Sequence, residues 1–119
     1  MNDRVGRRKA TDPQDLERLL VSRQREGDVE GMAALYEPHA VLDPGNGELL
    51  RGQGEIREFY AEVVRTGRKY ELGDQRPPLI SGDLALTRTR LPDGSVTAEV
   101  ARRQPDGTWL WAIDRFSVL

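Results

Sequence analysis

Residues 84–119 decide the fold, and they read LALTRTRLPDGSVTAEVARRQPDGTWLWAIDRFSVL. Two Pro-Asp-Gly triplets, at 92–94 and 105–107, divide this stretch into three runs with many strand-forming residues. Proline presets φ at the first turn position and glycine accepts a positive φ, so each triplet predicts a tight turn. The stretch therefore predicts an antiparallel meander of three long strands, over residues 84–91, 95–104 and 108–119.

The turns also predict a register. If each turn pairs the residues that flank it, Gln104 lies opposite Thr108, and Ala98 lies opposite both Arg88 and Asp114. One face of the sheet then carries the more apolar set, which is Leu84, Leu86, Arg88, Arg90, Val96, Ala98, Val100, Arg102, Leu110, Ala112, Asp114, Phe116 and Val118. A shift of one residue would exchange the faces of a strand, so this assignment depends on the register.

Asp114 lies in the middle of that apolar face. A carboxylate there must be paired, hydrogen-bonded or protonated. Neighbouring strands are about 4.8 Å apart, which puts the backbones of Arg88 and Asp114 roughly 10 Å from each other. The small side chain of Ala98 between them leaves room for contact. We therefore predict an Arg88–Asp114 ion pair, which either holds the register or takes part in catalysis.

The opposite face predicts a contact between two copies of the chain. Trp109, Trp111 and Ile113 lie there among polar residues, and aromatic side chains are enriched at protein interfaces. We expect a homodimer formed through this face.

The first half of the chain reads as helices. Apolar residues recur at helical spacing in three segments, within 12–26, 28–37 and 55–66, with short strands expected at 40–42 and 49–50. Asp28 is placed to cap the second helix, and Pro38 to end it. Helices followed by an antiparallel sheet predict an α+β domain with helices covering one sheet face.

Composition excludes several classes of function. The chain has 119 residues with 18 basic and 20 acidic side chains, no cysteine and one histidine, which argues against disulfides, thiolate metal sites and a Ser-His-Asp triad. Residues 1–10 hold four of the basic groups and are expected to form a solvated arm, ahead of a single domain over 11–119. That domain is acidic, so we expect no nucleic-acid partner, and with no leader or apolar span we expect a cytoplasmic protein without a membrane partner.

Several segments together resemble the nuclear transport factor 2-like superfamily, in particular its SnoaL-like and ketosteroid-isomerase-like branch. The residues that carry the resemblance are 27–31 (GDVEG), 35–36 (LY), 40–44 (AVLDP), 51–52 (RG), 56–60 (IREFY) and 106–109 (DGTW). The resemblance covers about residues 12–119. It implies a cone-shaped (cystatin-like) α+β fold in which N-terminal helices pack on a curved antiparallel sheet, with an apolar pocket at the wide end.

The resemblance also implies candidate catalytic residues. In ketosteroid isomerases the Asp-Pro step after the first short strand supplies the base, and Asp43 is similar to that position. The oxyanion tyrosine of those enzymes corresponds to Leu20, and their protonated aspartate to a position near Ala101, so both oxyanion donors are missing here. Asp114 resembles an acid that does proton work in SnoaL-like cyclases.

Three functions remain open from the sequence. The first is an acid/base enzyme without cofactor or metal, acting on an apolar carbonyl, enol or epoxide. Its catalytic residues would be Asp43, Asp114 and Arg88, a set similar to the two aspartates and arginine of limonene-epoxide-hydrolase relatives. Its pocket walls would be Tyr36, Tyr60 and Phe116. The second is a non-catalytic ligand-binding module with the same pocket, and the third is a dimeric interaction protein whose pocket is filled by its own side chains.

Overall fold

A computed structural model describes residues 6–119, which form three helices and eight strands. The helices are α1 (Asp15–Arg25), α2 (Val29–Ala33) and α3 (Gly52–Arg65). The strands are β1 (Tyr36–Asp43), β2 (Leu50–Arg51), β3 (Asp74–Gln75), β4 (Leu79–Ser81), β5 (Leu84–Thr87), β6 (Thr89–Arg90), β7 (Ala98–Arg103) and β8 (Trp109–Arg115).

The strands form a curved six-stranded sheet in the order β2-β1-β8-β7-β5-β4, beside a two-stranded pair of β3 and β6. The meander of β5, β7 and β8 is antiparallel, as predicted. The sheet also contains one parallel pair, because β1 lies beside β8 and runs in the same direction. The predicted α+β class with helices on one sheet face is confirmed, and the parallel pair makes the sheet mixed.

Helix α2 is shorter than its apolar pattern predicted. Asp28 caps it as expected, since its Oδ1 accepts a hydrogen bond of 3.1 Å from the Gly31 backbone N–H. The helix ends at Ala33, and the chain is already extended at Tyr36, two residues before Pro38. The backbone N–H of Trp111 donates to the Leu35 carbonyl at 2.9 Å, so pairing with β8 replaces the last helical turn.

The two predicted hairpins differ in how far their register holds. Between β5 and β7 the pairs follow the prediction, with Ala85 opposite Ala101 and Thr87 opposite Glu99. Between β7 and β8 the predicted register holds near the turn and then slips, because Ala112 is an extra residue in β8. Beyond this bulge every β8 residue faces the side opposite to the one that strict alternation predicts.

The more apolar face predicted from the sequence is not the inner face. In β5, β7 and the part of β8 before the bulge its residues face outward, although their register is the predicted one. Leu84 and Leu86 are 43% and 49% exposed, whereas Ala85 is buried on the inner face. Trp109 and Trp111 are buried in the core and cannot form the predicted dimer contact. The inner face packs against the helices through a core of Ala10, Leu16, Leu19, Leu20, Met32, Leu35, Tyr36, Ala40, Leu42, Ile56, Tyr60, Ala85, Ala101, Trp109 and Trp111.

The described part of the basic N-terminal arm lies against the domain. Arg7 forms an ion pair of 2.6 Å with Asp28, and Lys9 forms one of 3.0 Å with Asp106. Ala10 is buried and makes a bridge with Trp109. Residues 1–5 of the arm lie outside the described residues.

Candidate functional site

A cavity of about 410 Å³ lies between the inner face of the sheet, helix α1 and the 68–71 segment. This volume is within the roughly 300–1,000 Å³ typical of small-molecule sites. The cavity is lined by Glu17, Leu20, Pro44, Arg68, Lys69, Tyr70, Glu71, Leu91, Pro92, Asp93, Ser95, Thr97, Glu99, Asp114 and Phe116. Charged and apolar side chains both contribute to this lining.

Asp114 faces this cavity because of the bulge in β8. Ile113 is 53% exposed on the outer face, and Asp114 is 3% exposed on the inner face. The Asp114 Oδ2 accepts a hydrogen bond of 2.6 Å from the Tyr36 hydroxyl. Among the described residues its Oδ1 has no hydrogen-bond partner, so one carboxyl oxygen is available to a molecule in the cavity.

Two buried tyrosines form a hydrogen-bonded chain that ends at Asp114. The hydroxyls of Tyr36 and Tyr60 are 2.7 Å apart, and both side chains are fully buried. Because the Tyr36 hydroxyl donates its hydrogen bond to Asp114, the Tyr60 hydroxyl must donate to the Tyr36 oxygen. Burial and the neighbouring Asp114 raise the pKa of both hydroxyls, which therefore stay protonated. Neither tyrosine lines the cavity wall, so they support Asp114 rather than act as the walls that the sequence suggested.

A second buried carboxyl lies directly beside Asp114. Glu99 is the partner of Asp114 across β7 and β8, is 4% exposed and also lines the cavity. The Thr87 hydroxyl donates to its Oε1 at 2.7 Å. Burial raises the pKa of both carboxyls, and the negative charge of Glu99 raises the pKa of Asp114 further. Two carboxyls in this position hold protons more firmly than either would alone in water.

Helix α1 contributes a third carboxyl, Glu17, which is half-buried. Burial, with a smaller effect from Glu99, raises the pKa of Glu17 from 4.5 to about 7. The sequence pattern assigns neither Glu17 nor Glu99 to a functional site. A signal for Glu17 was present, because it precedes Leu20 by three residues and so shares the helix face that Leu20 presents to the cavity.

The structure does not bring together the catalytic set proposed from the sequence. The Asp43 Oδ2 is 3.2 Å from the Arg115 Nε, and Arg115 is exposed on the outer face, so Asp43 points away from the cavity. Arg88 is also exposed and outward-facing, since its neighbours Thr87 and Thr89 are the buried residues. The predicted Arg88–Asp114 pair is therefore wrong, and only Asp114 of the three faces the cavity.

Two further positions from the sequence analysis lie at the cavity. Phe116 lines it and packs against Phe59, with ring centroids 5.8 Å apart. Leu20, which corresponds to the oxyanion tyrosine of ketosteroid isomerases, lines it as well and supplies no hydrogen-bond donor. The cavity thus has an apolar part and an acidic part.

The two basic residues of the lining contact groups other than the three withdrawn acids. The Lys69 Nζ donates to the Arg25 carbonyl at 3.1 Å, and the Arg68 guanidinium lies over the Tyr70 ring, 5.4 Å from its centroid. Neither forms an ion pair with Glu17, Glu99 or Asp114, for which residues 6–119 supply no ionic partner.

Residues 6–119 contain neither a cluster of metal-ligating side chains nor a helix suited to spanning a membrane. Within 6–119 no three or more His, Asp or Glu side chains are grouped so that they could hold a metal ion. No helix in that range combines the length and the apolar character needed to cross a membrane.

Comparison with known proteins identifies the family. The family model of the SnoaL-like domain matches residues 17–118. No match is found among curated protein sequences. Solved structures share the fold, beginning with a protein of unknown function from Mycobacterium tuberculosis at TM-score 0.70 and 21% identity, where the match covers 86% of this chain but only 66% of that one.

Two further structures have the same architecture. An NTF2-like protein from Streptomyces avermitilis, described provisionally as a dehydratase, matches at TM-score 0.69 and 20% identity over 86% of this chain and 90% of that one. A ketosteroid isomerase-like protein from Erwinia carotovora matches at TM-score 0.67 and 17% identity over 86% and 89% of the two chains. The chain therefore belongs to the SnoaL-like domain family, within the nuclear transport factor 2-like superfamily.

Proposed function

We propose that this protein binds a small organic molecule in the cavity and acts on it by acid/base chemistry, with Asp114 as the group that exchanges the proton. One observation carries the proposal. Asp114 is almost completely buried, one of its oxygens is held by Tyr36, and the other is free on the side of the cavity. A general base or acid needs this combination of fixed orientation and an available oxygen.

The environment of Asp114 favours proton transfer. Burial and the charge of Glu99 raise the pKa of Asp114 well above its usual range, which strengthens the carboxylate as a base and allows the protonated form to act as an acid. In the proposed reaction Asp114 takes a proton from a carbon next to a carbonyl of the ligand. It then returns the proton to another atom of the same molecule, so that the ligand is isomerised without a cofactor.

The experiment measures proton exchange rather than a particular product. Polycyclic phenols, steroids and aromatic polyketides are first screened for a rise in melting temperature of the wild-type protein. Carbonyl-containing hits are then incubated with protein in D₂O, and loss of the C–H signal is followed by NMR. We expect wild-type protein to accelerate exchange and Asp114→Asn to reduce it by about 10²–10⁴-fold while ligand binding persists.

Glu48→Gln is the matched control, because Glu48 is exposed and lies outside the cavity lining. It should exchange at the wild-type rate. Exchange that is unchanged in Asp114→Asn would contradict the role of Asp114. A ligand that binds without any accelerated exchange would favour the alternative, a non-catalytic binding protein, which the missing donor at Leu20 also favours.

We also propose a homodimer that forms through the outer face of the sheet. Five neighbouring strands, β1, β8, β7, β5 and β4, each contribute one apolar residue, and each residue is the cross-strand partner of the next. In strand order these residues are Val41, Ile113, Val100, Leu86 and Leu79. They form one apolar row across five strands, and the last two are 49% and 71% exposed. A contiguous exposed apolar patch of this kind is typical of a protein interface.

A further inference from the structure

We propose that the ligand of this cavity carries a basic nitrogen, which binds as an ammonium group between Glu17 and Glu99, beside Asp114. The inference rests on the proposed function, because it describes the ligand of the same cavity. It starts from a charge imbalance in the cavity, whose lining has five carboxyls and two basic groups. Glu71 and Asp93 are exposed, whereas the other three carboxyls are withdrawn from solvent on α1, β7 and β8.

Elsewhere in this protein a buried acid receives a cationic partner. Asp15 is 6% exposed, and its Oδ1 is 3.0 Å from the Arg18 Nη1 and 3.7 Å from the Arg8 Nη2. Its Oδ2 accepts hydrogen bonds from the Thr11 backbone and hydroxyl. Among the described residues Asp15 is the one buried acid outside the cavity, and two arginines lie beside it.

The cavity acids differ from Asp15 in this respect. Their polar contacts within residues 6–119 come from neutral groups, with the Tyr36 hydroxyl on Asp114 and the Thr87 hydroxyl on Glu99. For Glu17 those residues provide neither a hydrogen bond nor an ion pair. A carboxylate removed from water without a cation is unfavourable, so these acids must either hold protons or receive a cation from outside.

The cavity indicates which cation would fit. The second carboxyl oxygen of the buried Asp114, Oδ1, faces a space of about 410 Å³, which is far larger than a metal ion needs. The acids described here are also not grouped closely enough to hold a metal ion. Phe116, Leu91 and Leu20 provide apolar walls in the same cavity. An organic ammonium ion uses both features, since its nitrogen meets the acids and its carbon skeleton contacts the apolar walls.

The depth of each carboxyl in the cavity indicates where the ammonium group and the reacting part of the ligand would bind. Glu99 and Asp114 are 4% and 3% exposed and lie deep, whereas Glu17 is only half-buried and lies closer to the solvent. An ammonium group between Glu17 and Glu99 therefore leaves the free oxygen of Asp114 for the reacting part of the ligand.

Three probes that share a naphthylmethyl group test the inference. They are 1-naphthylmethylamine, 1-naphthalenemethanol and 1-naphthylacetate, which present a cation, a neutral group and an anion, and their dissociation constants are measured by calorimetry at pH 7.5. We expect one amine to bind per chain, at least tenfold more tightly than the alcohol and with no detectable binding of the acetate. Glu99→Gln and Glu17→Gln should each weaken the amine at least fivefold and change the alcohol less than twofold.

Glu48→Gln again serves as the control and should bind all three probes as the wild type does. If the alcohol binds as tightly as the amine, or if neither Gln variant weakens the amine, the inference is overturned while the proposed function stands. If the acetate binds most tightly, Arg68 and Lys69 rather than the acids select the ligand, and the inference is overturned as well. If none of the three probes binds, the inference is overturned, and the proposed function is decided separately by the proton-exchange experiment.

Discussion

Glu17→Gln should stabilise the folded protein at neutral and alkaline pH. Glutamine keeps the shape of the side chain but cannot ionise, so it avoids placing a charge in the cavity. Burial and Glu99 raise the pKa of Glu17 from 4.5 to about 7. At about 1.4 kcal/mol for each pKa unit, this difference corresponds to about 3 kcal/mol of stability that ionised Glu17 removes from the fold.

The pH range of the effect follows from the direction of the shift. Below pH 4.5 Glu17 is protonated in both the folded and the unfolded chain, and it does not make stability depend on pH. Between 4.5 and about 7 the unfolded chain releases the proton while the folded chain retains it, so the free energy of unfolding falls as pH rises. Above pH 7 the loss is complete.

Urea unfolding of wild type and variant from pH 4 to pH 8.5 tests this prediction. Glu99 and Asp114 also have raised pKa values, so in both proteins they too lower the free energy of unfolding as pH rises. Tyr70 lies on the same cavity wall, and because its pKa is raised to about 12 it stays protonated over this range. The difference between variant and wild type therefore isolates Glu17, together with its influence on the two neighbouring acids.

We expect that difference to be small at pH 4 and to grow to about 3 kcal/mol in favour of the variant by pH 8. Glu48→Gln, at an exposed position, should show no such dependence on pH. A difference that stays constant from pH 4 to 8.5, or a variant that is less stable than wild type at pH 8, would refute the reasoning. Either result would mean that Glu17 is not confined in the cavity.

Two further predictions concern the support of Asp114 and the outer face. Tyr36→Phe removes the hydroxyl that is hydrogen-bonded to both Tyr60 and Asp114. Urea unfolding should show a free energy of unfolding about 2–3 kcal/mol lower than that of the wild type. A decrease of less than about 0.5 kcal/mol would show that this network is weak. Ile113→Lys places a charge in the apolar row beside Val100. Sedimentation velocity should therefore show a dimer for the wild type and a monomer for the variant. A monomeric wild type would contradict the proposed dimer.

Much of the architecture follows from local chemistry in the chain. The turns at 92–94 and 105–107 predict the antiparallel meander, and the β5–β7 register that they imply is the observed one. Asp28 caps α2 as its side chain and position predict. These features depend on residues close together in the sequence, which is why they can be predicted from it.

The candidate site depends on contacts that no local pattern contains. Asp114 was identified from the sequence because a carboxylate in an apolar strand needs a partner, but its partner is Tyr36 and not Arg88. Strict alternation put Asp114 on the same face as Leu86, and the extra residue Ala112 reverses this. A bulge has no distinctive residue type here, so only the packing of β8 between β7 and β1 reveals it.

Propensity and turn chemistry act over a few residues, so the class of fold, the two tight turns and one important acid in the last strand can be predicted from the chain alone. The surroundings of that acid depend on the folded structure. Glu17 and Glu99 are 82 residues apart in the chain, and they enter one cavity because α1 packs across the inner face of the sheet. Burial and mutual repulsion set the charge state of these carboxyls, and both depend on the three-dimensional arrangement.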